Sequence, residues 1–380
     1  MEFYLKTKEE YDAIVENNDA FYRADRVVEG QEVAIYDYRL ASISDFVDNE
    51  AFEMRGLCFV KNSEGKWERN ILMNKFFNYS QTIGWMPEDL DNKKIIRVQD
   101  KLDGSIISFV KFSNGKVRAK SKTSFESDQA KMAQEFFDNN KNLQKYIEYC
   151  LNRNLVPIFE LIGYENTIVL NYDVPYKLVL LQIRREDGTY LEKDEMISLA
   201  QIFDIEVAED YKLFTLKDLL EKKETDEGYE GFVVTFEDSQ MAKIKLDWYL
   251  SLHGLIGPDA FRENLLVKTI LDGRIDDLLS ALAPGGKKDK IIEMQEKVTH
   301  KFNHLVLEFK SLRGSYYNEF SENRKEFAIK NSKHPLFGYV MKSIGGSFRD
   351  VESIAEEQIK LYILNKTNSL GKAKEWVNDL

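Results

Sequence analysis

The chain has 380 residues, of which 43% are apolar and 31% charged, and a net charge of −12. That length suits two domains better than one, and the apolar and aromatic content excludes a largely disordered chain. The negative balance excludes a surface coated in positive charge, so a nucleic-acid partner would need a local basic cluster. The opening stretch MEFYLKTKEEYDAIV lacks the apolar run of a secretion signal, and no run of about 18 apolar residues occurs anywhere, so a soluble, cytoplasmic protein without a membrane partner is expected.

From Glu32 to about Lys245, short runs rich in Val, Ile, Phe and Tyr recur between turn signals: EVAIYDY, RGLCFVK, IISFVKFSNGKVRAKS, VPIFELI, YKLVLLQIR, EGFVVTF and AKIKL. The Ser113–Gly115 triplet joins two of them as a hairpin. Helical patterns intervene in SDQAKMAQEFFDNNKNLQKYIEYCL and EMISLAQIF. The expected class is α+β with mostly antiparallel strands. Cys58 and Cys150 match no metal spacing and read as reduced structural thiols.

After Asp247 the alternating β pattern gives way to helical spacing, which places a boundary near residue 255, with domains at 1–254 and 255–380. The clearest helix follows the breaker APGGKK and carries Ile291, Met294, Val298, Phe302, Leu305, Phe309 and Leu312 at steps of three and four. Partner helices must cover that stripe, so the C-terminal part is expected to be all-helical. His300 and His304 lie one turn apart on the same helix, but no glutamate follows the first and no third ligand is evident, so zinc is not expected.

Chemistry concentrates around QDKLDGSIISFV, where Lys101 and Asp103 flank Leu102 just before a strand. A turn lysine is ordinarily solvated. A nucleophilic amine instead needs cations or burial to favour its neutral form. Cations are at hand in KVRAKSK, where Lys116, Arg118, Lys120 and Lys122 alternate along one strand face, three of them expected to be solvated. Lys243 and Lys245 share a strand face in the same way, with Ile244 turned to the core. Neighbouring lysines repel unless an anion such as phosphate lies between them. Glu160 and Glu230 sit in apolar strand contexts where each calls for a cation, a metal or a ribose hydroxyl.

The ordered series Lys101-Leu-Asp-Gly-Ser, FELIG with Glu160, LVLLQIR, Glu230-Gly-Phe-Val and Lys243-Ile-Lys245 resembles the covalent nucleotidyltransferase superfamily of ligases and capping enzymes. The further segments EMRGLCF, NKFFN, KSKTS, ENTIVL, KLDWYLSLH and KTILDGRIDDL resemble the bacteriophage tRNA-repair type of single-stranded RNA ligase, the RNA ligase 1 family, over nearly the whole chain.

That resemblance implies a fold and a reaction. The fold is an N-terminal nucleotidyltransferase domain of antiparallel sheets with flanking helices, followed by a helical domain that recognises RNA. In the reaction, Lys101 attacks the α-phosphate of ATP, the adenylate passes to an RNA 5′-phosphate, and a 3′-hydroxyl displaces AMP. Lys101, Glu230, Lys243 and Lys245 would be catalytic. Tyr38, Arg55, Lys75, Phe77, Lys122 and Tyr249 would join them in holding ATP, with Leu181 and Val233 sandwiching the adenine. Glu160 and Glu230 would serve the ribose and a hydrated Mg²⁺, with Mn²⁺ as its substitute and Asp103 beside them; Asp276 and Asp277 resemble a family metal position in the helical part, and adjacent aspartates are equally a charge pair at a helix N-terminus. The implied partners are single-stranded or nicked RNA, including a tRNA anticodon loop, and an end-healing kinase or phosphatase. Leu102 departs from the acidic residue the phage enzymes carry there. The rival readings are a DNA ligase or capping enzyme, which append a small β-barrel rather than helices after the second motif lysine, and a non-catalytic binding protein, which would have lost Lys101, Glu230 or Lys243.

Overall fold

A computed structural model describes residues 5–170, 172–212, 214–252, 261–280, 282, 286–344 and 351–380. The chain separates into two compact units, Met1–Tyr38 with Ile43–Ile256, and Arg39–Ser42 with Gly257–Leu380. The expected boundary between residues 254 and 255 lies outside the described residues, as do His253 and part of the APGGKK breaker.

The first unit holds twelve strands in three sheets of four. In the first sheet β1 (Phe21–Val28), β2 (Gln31–Tyr38), β3 (Leu57–Lys61) and β4 (Trp67–Asn70) run in that order. β1 turns into β2 through Glu29 and Gly30, both at positive φ, the combination a two-residue hairpin turn demands. The third sheet has the order β5 (Phe77–Asn78), β12 (Met241–Lys245), β11 (Gly231–Phe236), β6 (Ile95–Asp100). The second has the order β10 (Lys177–Arg185), β9 (Leu155–Ile162), β7 (Ser105–Lys111), β8 (Val117–Lys120). Among the described strands only β5 and β12 pair in parallel. The Ser113–Gly115 hairpin forms as expected, with Gly115 at positive φ and Phe112 exchanging hydrogen bonds with Lys116 and Gly115.

β1, β4, β5 and β6 are additions to the sequence reading. β1 turns Tyr22, Ala24 and Val28 to the core and Arg23 and Asp25 to water, and only Arg26 interrupts the apolar face, which an edge strand tolerates. The single helical pattern expected over residues 127–151 is two helices, Asp128–Asn139 and Lys141–Leu151. Asn140 closes the first and caps the second by accepting from the Leu143 amide at 3.0 Å, which satisfies a donor the new helix would otherwise orphan. Both helices lay their apolar faces on the second sheet, where Phe137, Tyr146 and Ile147 meet Phe109, Phe159 and Leu161.

The described part of the second unit is helical. Its longest helix, Gly286–Asn318, buries the expected stripe from Ile291 to Phe309, with Leu312 partly covered. Helices Glu263–Leu271, Phe337–Ser343 and Val351–Lys366 supply the covering side chains, among them Val267, Val340 and Ile359. The unit also takes in Arg39–Ser42: Arg39 and Lys310 both pair with the buried Glu352, and the Leu40 carbonyl accepts from Asn303 at 3.0 Å. No described helix is long and apolar enough to cross a membrane.

Candidate active site

The centre of the site is built by two neighbouring strand ends. β6 delivers Lys101 one residue past its end, and the Lys101 amide donates to the Gly231 carbonyl at 3.0 Å, so the lysine is held at the start of β11. Glu230, immediately before β11, is buried and accepts from the Lys101 amine at 2.6 Å and from the Lys245 amine at 3.2 Å. Gly231 makes this crossing possible. It sits at φ +147°, and a Cβ there would come within 2.1 Å of the Ile244 carbonyl on β12. The nearest partner of the amine is therefore a carboxylate, where the sequence reading expected cations.

The cations stand around that pair. In β12, Lys243 lies opposite Val233 and Lys245 opposite Gly231, so both amines leave the same face of the sheet. Lys243 stands over the Phe76 ring, and burial, reinforced by Lys75, Arg55, Lys101 and Lys245, pushes its pKa well below the ordinary lysine value. Such crowding of like charge is costly unless an anion occupies the space between.

Lys75 is buried with its amine over the rings of Tyr38, Phe46 and Phe77, 3.5 Å from the Tyr38 hydroxyl. Phe77 is thus a platform under Lys75. Tyr38, at the end of β2, also lies under the Lys122 amine at 4.7 Å from the ring centre. Burial opposes ionisation of Tyr38, but Lys75, Lys122 and Arg55 outweigh it and lower its pKa. Lys122 pairs at 2.9 Å with Asp37, whose side chain is almost wholly buried. Burial disfavours the charge on Lys122, and Asp37 and Tyr38 reverse that to give a raised pKa. Asp37 was not foreseen. Its signal is a carboxylate in phase with Val33 and Ile35 on one face of a buried strand.

Glu160 on β9 lies opposite Ile106 and Val179. Burial raises its pKa to about 8, with Glu230 and Asp103 adding to the effect and Lys101 and Arg55 opposing it. A carboxyl so raised binds its proton more tightly folded than unfolded. Its contribution to stability is therefore unfavourable, growing as pH rises from the ordinary 4.5 to about 8 and constant above. Glu160→Gln is expected to flatten that decline, checked by melting midpoints of both proteins from about pH 5 to about pH 9. Parallel curves would show that Glu160 ionises normally.

Asp103 and Tyr249 are brought close to Lys101 but are occupied with each other. One carboxylate oxygen of Asp103 accepts from the Val169 and Leu170 amides at 2.8 and 2.7 Å, and the other from the Tyr249 hydroxyl at 2.9 Å. Both residues therefore brace the turn after Lys101 rather than open toward an ion. Leu181 sits where β10 bulges, its carbonyl accepting from Gln99 at 3.1 Å, and Gln99 is paired with Val233 across the β6–β11 ladder. Leu102 and Tyr172 pack with Leu181 against Ile162, Val179 and Ala208. That apolar setting accounts for a leucine beside the nucleophile candidate.

The basic run KVRAKSK does not act as one face. β8 ends at Lys120, and Lys122 lies beyond it. Lys116 and Arg118 pair with Glu29, each at 2.8 Å, and Lys120 is wholly buried. Asp276 and Asp277 belong to the helical unit, on the first turn of Ile275–Ser280, with Asp277 buried. His300 and His304 are exposed. Among the described residues no group of three or more His, Cys, Asp or Glu could enclose a metal ion. Two carboxyls, Glu160 and Glu230, beside a cluster of amines suit instead a hydrated divalent ion that completes its shell with water and phosphate.

Comparison with known proteins gives the family. A "Putative RNA ligase" of Thermovibrio ammonificans is 26% identical over 327 residues, 84% of this chain and 83% of that protein. Among solved structures, an archaeal ATP-dependent RNA ligase aligns with 93% of this chain and 95% of its own at 12% identity and a TM-score of 0.48. A Naegleria gruberi RNA ligase variant with ATP and Mn aligns with 66% of this chain and 84% of its own at 16% identity and a TM-score of 0.40. The RNA ligase family model matches residues 53–249, a span that runs from Glu53 through Lys101 and both motif lysines to Tyr249, and the chain belongs to the RNA ligase family.

Proposed function

We propose that the protein is an ATP-dependent RNA ligase that works through an adenylate on Lys101. The observation that carries this reading is the Lys101 amine held at 2.6 Å from Glu230, with Lys245 on the same carboxylate and Lys243 crowded by further cations. In the first step the Lys101 amine, in its neutral form, attacks the α-phosphorus of ATP, the P–N bond forms, the bond to pyrophosphate breaks, and the nitrogen passes a proton to solvent water. An RNA 5′-phosphate oxygen then attacks the same phosphorus and the P–N bond breaks, leaving AMP on the RNA end. Finally the 3′-hydroxyl oxygen attacks the RNA 5′-phosphorus, the P–O bond forms, the bond to AMP breaks and AMP leaves, and the hydroxyl proton passes to solvent water.

Arg55, Lys75, Lys122, Lys243 and Lys245 hold the phosphates and offset the charge that spreads over the transferred group, in a reaction that is mostly positioning and electrostatics. A divalent ion, Mg²⁺ or Mn²⁺, held by Glu160 and Glu230 would supply charge neutralisation at the phosphates. Leu181 and Val233 flank Gln99 and would enclose the adenine. Asp103 and Tyr249 keep Lys101 in place. The resemblance to the phage enzymes supports tRNA repair as the role, on anticodon-loop nicks prepared by an end-healing kinase and phosphatase, in the cytoplasm.

Incubation of a 5′-phosphate, 3′-hydroxyl RNA with the protein, ATP and Mg²⁺ is expected to yield sealed RNA on a denaturing gel. Sealing of DNA ends but not RNA ends, or covalent labelling by GTP in place of ATP, would favour the rival enzymes.

A further inference from the structure

Lys120 is a buried lysine whose amine, among the described residues, donates to no carboxylate and instead serves backbone carbonyls, with Asp37 and Lys122 near enough to act on its charge. Its amine donates to three carbonyls, those of Gly56 at 2.9 Å, Ser121 at 3.1 Å and Lys122 at 3.2 Å. An ammonium has three protons to give, so this set matches its donor capacity. Two of the three carbonyls belong to Lys122 and to the neighbour of Arg55. A second, independent feature joins the same two segments: Gly56 is at φ +78°, and a Cβ there would lie 2.3 Å from the Lys122 carbonyl. The Arg55 turn and the Lys122 turn are thus packed backbone to backbone, and the Lys120 amine ties them. The Gly56 amide completes the arrangement by donating to the Tyr36 carbonyl at 3.0 Å, two residues before Tyr38.

We infer that Lys120 is a positioning residue of the phosphate site, fixing Arg55 and Lys122 relative to each other so that both reach one polyphosphate chain. This rests on the reading of Arg55 and Lys122 as triphosphate contacts. Burial lowers the pKa of Lys120 to about 8, which leaves it mostly charged at neutral pH and its full donor set intact. Lys120 acts through the backbone. Its loss should therefore overlap with the loss of Lys122.

The test is binding of inorganic tripolyphosphate to wild type, Lys120→Met, Lys122→Met and the double variant by titration calorimetry, beside thermal midpoints. Each single variant is expected to bind about tenfold more weakly, the scale of one lost hydrogen bond to a charged group. The double variant is expected to be little weaker than the weaker single one, since the two residues share one contact. Lys120→Met binding like wild type, or weakening that multiplies fully in the double variant, would overturn the inference. Should Lys120→Met fail to fold, Lys120→Gln keeps two of the three donor hydrogens and decides by the same criteria. Tripolyphosphate needs no chemistry at Lys101. A wild type that binds it yet forms no labelled adduct with ATP and carries no AMP by intact mass would therefore sink the ligase mechanism and leave this positioning role standing.

Discussion

Replacing Lys101 with alanine is expected to abolish covalent labelling of the protein by ATP carrying label on the α-phosphate, while the folded state and nucleotide binding survive. The amine is the atom that bonds to phosphorus in the proposed first step, so its removal takes away the step rather than slowing it. Lys101 also pairs with Glu230, but Glu230 keeps Lys245 at 3.2 Å and is not left without a cation. The fold should therefore tolerate the change. In wild type, label should survive denaturing electrophoresis, be lost in acid and resist base, as a phosphoramidate does. Freshly purified wild type that takes no label should show an added AMP by intact mass. If it shows neither, the covalent mechanism fails; if Lys101→Ala labels as wild type does, the nucleophile lies elsewhere.

The second large effect is on stability. Arg184 on β10 is wholly buried and forms two parallel hydrogen bonds with Glu53, at 2.7 and 2.9 Å, while donating also to the carbonyls of Leu72, at 2.6 Å, and Gly188. Glu53 lies two residues before Arg55, and Leu72 three before Lys75. One buried guanidinium thus anchors the segments that carry Arg55 and Lys75. Arg184→Met would leave the buried Glu53 carboxylate and the Leu72 carbonyl without their donor, and a loss of about 3–5 kcal/mol is expected, which is the usual cost of stranding one half of a buried pair. Urea unfolding followed by tryptophan fluorescence measures it. Adding Glu53→Met should recover part of the loss by removing the stranded charge. A loss below about 1 kcal/mol for the single variant would mean that water reaches and solvates Glu53.

Arg184 also illustrates what a linear reading misses. In YKLVLLQIR it is an arginine ending an apolar run, a pattern that ordinarily marks a solvated strand end. Only folding brings Glu53, far away in sequence, into its two-pronged reach. Lys120 was misread for the same reason. Strand alternation grouped it with Lys116, Arg118 and Lys122, yet β8 ends at Lys120 and the loop beyond it folds back over the amine. Asp103 shows a bracing contact the linear reading missed: one of its oxygens accepts from the Val169 and Leu170 amides and the other from the Tyr249 hydroxyl.

Other features were legible because they are local. The α+β class, the antiparallel strands from EVAIYDY to AKIKL, the hairpin at Ser113–Gly115 and the long C-terminal helix follow from periodicity and turn residues, which act over a few neighbours and are written directly in the chain. The ordered series around Lys101, Glu160, Glu230, Lys243 and Lys245 resembles the covalent nucleotidyltransferases, the further segments from EMRGLCF to KTILDGRIDDL resemble the RNA ligases, and the family model over residues 53–249 agrees with the latter. What the tertiary structure alone decided is which charge meets which. That Lys101 faces a carboxylate, that Asp37 holds Lys122, that Lys120 and Arg184 serve backbone carbonyls, and that Arg39–Ser42 belongs with the helices depends on contacts between segments far apart in sequence. Burial then sets the worth of each contact, because a charge removed from water must find its partner wherever the fold supplies one.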